Sequence, residues 1–134
     1  MAKHYFDVGK LREWLAPLDS CPVECDGMTR AVATLLKREG IPFTPHCGSL
    51  TIPEVGDILL HFWIELDNGY ICDYRARMWL GSSPSVPHGI FKQEARHQYQ
   101  SNQRLDHVAI SPTVFLFVTG LPLDSFPPLE GFVA

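Results

Sequence analysis

The chain's most reactive side chains are its four cysteines and six histidines. One of the cysteines heads a patterned run, Cys25-Asp26-Gly27-Met28 through Glu39-Gly40. Within it Met28, Ala31, Val32, Leu35 and Leu36 recur at helical spacing, so one face is apolar. Gly40 falls where such a helix is expected to end, and Pro42 prevents its resumption. Cys25 is thereby expected at the N-terminal tip of a helix packed on its apolar face. The free N–H groups and the helix dipole at that tip stabilise an anion, and a thiolate is an anion. Beside a histidine, a thiol so placed is a nucleophile at neutral pH.

Of the histidines, His61 alone falls inside a strand pattern. In Leu60-His61-Phe62-Trp63-Ile64-Glu65-Leu66, alternation puts His61, Trp63 and Glu65 on one face and Leu60, Phe62, Ile64 and Leu66 on the other. A histidine on the wetter face of a sheet is the plain reading, and a carboxylate that orients the ring would change it. Glu65 is roughly 13 Å along the same strand, and Asp67 is on the order of 20 Å away; both are too far. Asp73 returns on the next strand, and its side depends on the turn. A two-residue Asn68-Gly69 loop sets Asp73 opposite Ile64, on the wrong face. A three-residue Asp67-Asn68-Gly69 loop sets it opposite Trp63, a diagonal neighbour of His61 at roughly 7–8 Å before the side chains reach inward. Such loops take glycine in the left-handed position, and Gly69 supplies it.

The same residues admit other readings. Cys21 precedes Pro22, a good first helical residue, and Glu24 stands where a capping glutamate would. A helix beginning there would make Cys21 the tip, but would enclose Gly27 at a cost of roughly 1 kcal/mol. Either thiol is otherwise an inert buried side chain. Cys21, Cys25, His46, Cys47, His61 and Cys72 contain enough donors for tetrahedral zinc, though in poor spacing, and a domain stabilised by zinc is one alternative. A binding module with an unused triad is another. Trp14 offers an indole N–H to an oxyanion or a ring to the core. Arg75 and Arg77 extend the Asp73 face outward, to a substrate carboxylate, an acidic partner or solvent.

The elements needed to position this chemistry can be read in order. Val8 to Leu15 predicts a short helix closed by Pro17. After the Cys25 helix, Ile41 to Ile52 is extended or irregular. Ile58 to Leu66 and Tyr70 to Ala76 predict a hairpin. Met78 to Gly89 reads as a loop, a rim or lid rich in glycine, serine and proline. Ile90 to Tyr99 suggests a short helix, and Gln100 to Asp106 is polar and exposed. Val108 to Ile110 and Thr113 to Thr119 read as strands, the second central because Val114 to Val118 is wholly apolar. The tail, Leu121 to Ala134, is rich in proline and packs without regular structure. Helices followed by mostly antiparallel strands give an α+β fold, with helices on one face of a sheet.

With 134 residues, 46% of them hydrophobic, the chain suits a single domain. Its formal net charge of −4 gives no footprint for nucleic acid, and no apolar run is long enough for a membrane span. Met1 to Asp7 lacks the apolar core of a signal peptide, and the cysteines are too few and irregular for a disulfide scaffold. A reducing, cytoplasmic setting is the expectation.

Taken together, the residues resemble the transglutaminase-like branch of the papain-like cysteine enzymes. The cysteine-tipped helix ending in Gly40-Ile41-Pro42 resembles that family's helix ending in Gly-Ile-Pro. His61-Phe62-Trp63-Ile64-Glu65 is similar to its His-x-Trp-x-Glu strand. Gly69-Tyr70-Ile71-Cys72-Asp73 is similar to its Gly-Trp-x-x-Asp return strand. The resemblance covers Cys25 to Asp73 and selects Cys25 over Cys21. It implies a papain-like core, a cysteine-tipped helix packed against an antiparallel sheet, with a Cys25-His61-Asp73 triad and no cofactor or metal. It also implies acyl transfer on an amide of a protein or peptide: hydrolysis, glutamine deamidation or cross-linking. Trp63 would wall such a site, and Arg75 and Arg77 would meet substrate. The sequence departs from the family where Asp-Pro-Thr is usual: here Asp73-Tyr74-Arg75 stands. No glutamine precedes Cys25, so the oxyanion donor typical of papain is missing. The backbone N–H of Cys25 is a natural donor.

Overall fold

The computed structural model describes residues 7–129, apart from the side chain of Asn68. The elements run α1 (Val8–Asp19), α2 (Cys25–Arg38), β1 (Thr44–Ile52), β2 (Gly56–Glu65), β3 (Tyr70–Asp73), α3 (Ala76–Leu80), β4 (Gly89–Lys92), β5 (Gln98–Arg104) and α4 (Pro112–Thr119). All strand pairings are antiparallel, in one five-stranded sheet of order β4-β3-β2-β1-β5. The fold is therefore α+β. The part of the tail at 130–134 lies outside the described residues.

α2 begins at Cys25, with Glu24 as its N-cap, and not at Pro22. It stops because Gly40 takes a left-handed φ of +72°, letting Gly40 N–H donate to Lys37 O and Ile41 N–H to Leu36 O. Its apolar face meets α1 and the sheet in the main core, where Met28, Ala31, Val32, Leu35 and Leu36 pack with Leu11, Leu15, Leu18, Ile64, Leu66 and Cys72. Expectation and structure differ over α1, which carries Pro17 inside it and continues to Asp19. Pro17 removes its own N–H bond from the helix, yet the last turn continues through it to Asp19.

The larger differences fall after β3. Tyr70 to Ala76 is a strand only to Asp73, and Ala76 and Met78 belong to α3. Ile90 to Tyr99 is not a helix but β4, a turn and the start of β5. The polar Gln100 to Arg104 stretch is an exposed edge strand. Thr113 to Thr119, read as a central strand, is helix α4. Its Ser111 cap accepts from Val114 N–H, Pro112 stands at its first turn, and Gly120 ends it with φ +76°. An apolar run cannot declare its period, and here the caps decide it.

The sheet is rolled. Asp73 on β3 and Tyr99 on β5 share a hydrogen bond although β2 and β1 lie between their strands. In a flat sheet those strands would be roughly 14 Å apart at about 4.8 Å per step. Phe91 of β4 likewise stacks 6.4 Å from Tyr99, so the two edges of the sheet face each other. His46, His61, Trp63, Asp73 and Tyr99 share the concave side, and α1 and α2 cover the other. α3 plugs the concave end: its Ala76 packs with Leu50, Ile52, Ile58 and Val86. The helices thus lie on both faces, not one.

Candidate active site

The β2–β3 turn decides the geometry. Ile64 pairs with Cys72 and Glu65 with Ile71, and Leu66 N–H donates to Tyr70 O at 2.8 Å. The loop is therefore Asp67-Asn68-Gly69, a single 3-10 turn with Gly69 at φ +78°. Continued by one residue, this register sets Trp63 opposite Asp73 and turns Asp73 to the His61 side.

There His61 Nε2 and Asp73 Oδ2 lie 2.7 Å apart, with His61 fully buried. The other carboxylate oxygen, Oδ1, accepts the backbone N–H of Arg75 at 3.1 Å. Cys25 approaches His61 from the tip of α2. The contact is loose: Nδ1 makes no hydrogen bond of full geometry, yet the thiol is near enough to favour the imidazolium. Burial is the largest single influence on His61 and works against its charge. The Asp73 hydrogen bond, the Cys25 contact and the two negative charges outweigh it, and its pKa rises from 6.5 to about 9. Cys25, His61 and Asp73 are thus brought together in the order thiol, imidazole, carboxylate.

The ring of His61 is held from the concave side. Trp63 stacks on it at 6.1 Å and 22° and on His46 at 5.4 Å and 22°, while Tyr99 tilts against Trp63 at 4.8 Å. His46 is fixed between Ser101 Oγ at 2.7 Å and Glu65 Oε1 at 2.8 Å. Trp63 therefore supports the His61 ring from within. The wall near the thiol is Phe62, which lines a cavity of about 10 Å³, room for about one water, together with Cys25, Met28, Val32 and Asp73.

A wider cleft of about 480 Å³ opens beside the start of α2, between Asp19–Glu24 and Tyr74–Met78. Arg77 lines it, with Nε donating to Val86 O at 3.0 Å. Arg75 does not extend outward as strand geometry suggests, because β3 has already ended. It is buried, and its guanidinium is committed to the chain itself: Val23 O at 2.6 Å, Cys21 O at 3.0 Å, Asp19 O at 2.9 Å, Asp19 Oδ1 at 3.0 Å and Tyr74 O at 2.7 Å. It is a clamp on the α1–α2 connection, not a group free to meet substrate.

The rival thiols are placed otherwise. Cys21 is buried against Pro17 O, and burial raises its pKa against the smaller opposing pull of Arg75. Cys72 is buried on the α2 side of the sheet, away from His61, and burial followed by the Asp73 charge raises its pKa strongly. Among the described residues no group of three or more His, Cys, Asp and Glu side chains converges as a metal would require. Trp14 gives its indole N–H to Pro127 O at 2.8 Å, so it serves the core and the tail. Among the described residues no helix is long and apolar enough to cross a membrane.

Compared with protein-family models, with characterised proteins and with solved structures, the chain matches none.

Sequence reasoning missed Tyr99 and the role of His46. Gln98 to Arg104 is polar on both faces, so nothing in its pattern marks a strand. The curl that carries Tyr99 to Asp73 has no local signal at all.

Proposed function

We propose that this chain is a cysteine-nucleophile acyl-transfer enzyme of the transglutaminase-like, papain-like type, acting on an amide of a protein or peptide. The observation that carries the reading is the buried His61, held by Asp73 through one ring nitrogen with the other left to Cys25. His61 takes the thiol proton before the attack, and Cys25 sulfur adds to the carbonyl carbon as a thiolate paired with the imidazolium. The C–N bond breaks, the amine leaves with that proton, and a thioester remains on Cys25. Water or an amine then attacks the thioester, its proton passes to His61, and Cys25 leaves as the thiolate, which restores the starting pair. Asp73 fixes the ring and balances its positive charge in both halves. The backbone N–H of Cys25, at the positive end of α2, is the natural donor to the oxyanion. The cleft lined by Val23, Glu24, Arg77 and Met78 lies beside the start of α2 and is the surface assigned to substrate.

The test is labelling by a peptidyl electrophile that mimics an amide, located by peptide mapping. Label is expected on Cys25, and it should be lost in His61→Ala while Cys47 still reacts slowly with iodoacetamide. Label on Cys21, or equal labelling of Cys25 and Cys47, would reject the reading.

A further inference from the structure

The orienting carboxylate has a partner from a distant strand. Tyr99 Oη donates to Asp73 Oδ2 at 2.7 Å, the same oxygen that holds His61 Nε2 at 2.7 Å. From this geometry we propose that Tyr99 is a positioning residue of the triad: it fixes the Asp73 carboxylate and sets how much of its charge reaches His61. This rests on the proposed triad but concerns a different bond of it.

Three observations argue for more than packing. Oδ1 is already taken by Arg75 N–H, so the Tyr99 bond completes the immobilisation of the carboxylate. The hydroxyl is a permanent donor, because burial, followed by the Asp73 charge and hydrogen bond, raises the Tyr99 pKa far above its ordinary value. The ring is itself held between Trp63 at 4.8 Å and Phe91 at 6.4 Å, so the donor cannot swing away.

A carboxylate oxygen shared between two donors gives less of its charge to either. With Tyr99 present, His61 is therefore less basic than Asp73 alone would make it. The groups facing this centre are Cys25 from α2, Asp73 from β3 and Tyr99 from β5, with the His46–Glu65 pair across Trp63; Cys72 lies on the other face of the sheet. Of these, only Tyr99 contributes a hydroxyl to Asp73.

The experiment is a titration of His61 by NMR in the full chain, wild type against Tyr99→Phe, and it needs no substrate. The midpoint is expected to rise by about half a pH unit or more, because the whole carboxylate charge then falls on His61. A purely structural ring would leave it in place. A midpoint unchanged or lowered in a folded variant overturns the proposal. If Tyr99→Phe does not fold, a fluorinated tyrosine placed at 99 keeps the shape and strengthens the donor. The midpoint should then fall, and an unchanged one overturns the proposal. The triad reading fails separately, if Cys25 shows no preferential labelling, and the His61 titration is readable in either case.

Discussion

His61 and Asp73 are twelve positions apart and meet at 2.7 Å, deep enough that His61 has no exposed surface. The odd length of the Asp67–Gly69 loop brings them to one side of the sheet. A buried imidazole so held can keep its proton, which is the state that a neighbouring thiolate requires.

Asp73→Asn should separate the two effects of the carboxylate. The amide keeps the shape but removes the charge, and burial then dominates His61. Its pKa should drop well below about 9, and Cys25-dependent turnover should fall by roughly 10³–10⁴ as the ring loses its tautomer and its balancing charge. An NMR titration of His61 and a turnover assay check the two arms. An unchanged His61 midpoint would contradict the assignment of Asp73.

Gly69 should matter through its backbone alone. Its φ is +78°, and an added Cβ meets only Lys92 Cε at 3.8 Å, an ordinary contact. Gly69→Ala should therefore cost about 1–2 kcal/mol, and Gly69→Asn less, because asparagine tolerates the left-handed region. Urea midpoints of the two variants test this. A larger loss in Gly69→Asn than in Gly69→Ala would show that space, not conformation, sets the cost.

Stability should fall on the alkaline side. His61 has its pKa raised from 6.5 in the unfolded chain to about 9 in the fold. Its stabilising contribution is thus complete below about pH 6.5 and disappears as pH rises through about 9. Its size is on the order of 3 kcal/mol. Above that, Cys21, Cys72, Tyr74 and Tyr99 add to the loss, because each stays neutral in the fold and ionises more easily when unfolded. Urea unfolding from pH 6 to 10 should show stability declining throughout, with a shallower slope between pH 6.5 and 9 in Asp73→Asn.

The contrast between what could and could not be read follows from range. Cys25, His61 and Asp73 sit in elements whose periods are local: a helix with a clean apolar stripe and a hairpin whose turn contains its own glycine. The Asp73 side followed from counting residues through that turn. Val114 to Val118 failed because an unbroken apolar run fits either period, although Ser111, Pro112 and Gly120 marked a helix. Tyr99 and the curl depend on contacts between edge strands, which no window of sequence contains. Arg75 failed for another reason: strand alternation was extended past Asp73, where β3 ends.

Arg75 is where the connection to α2 should be most vulnerable. Its guanidinium satisfies the carbonyls of Asp19, Cys21 and Val23 and pairs with the Asp19 carboxylate, all just before the helix that carries Cys25. Arg75→Ala leaves those buried acceptors without donors and opens a void, a loss of about 3–5 kcal/mol. Arg75→Lys keeps the charge, but its single ammonium cannot reproduce the fork that reaches acceptors on several sides, so it should recover only part of the loss. Because Val23 lies two residues before Cys25, a folded Arg75→Lys chain should also misplace the tip of α2. Iodoacetamide labelling of Cys25 should then slow relative to Cys47, at a temperature where circular dichroism shows the chain folded. Labelling at the wild-type rate would mean that the clamp secures the connection without setting the position of the thiol.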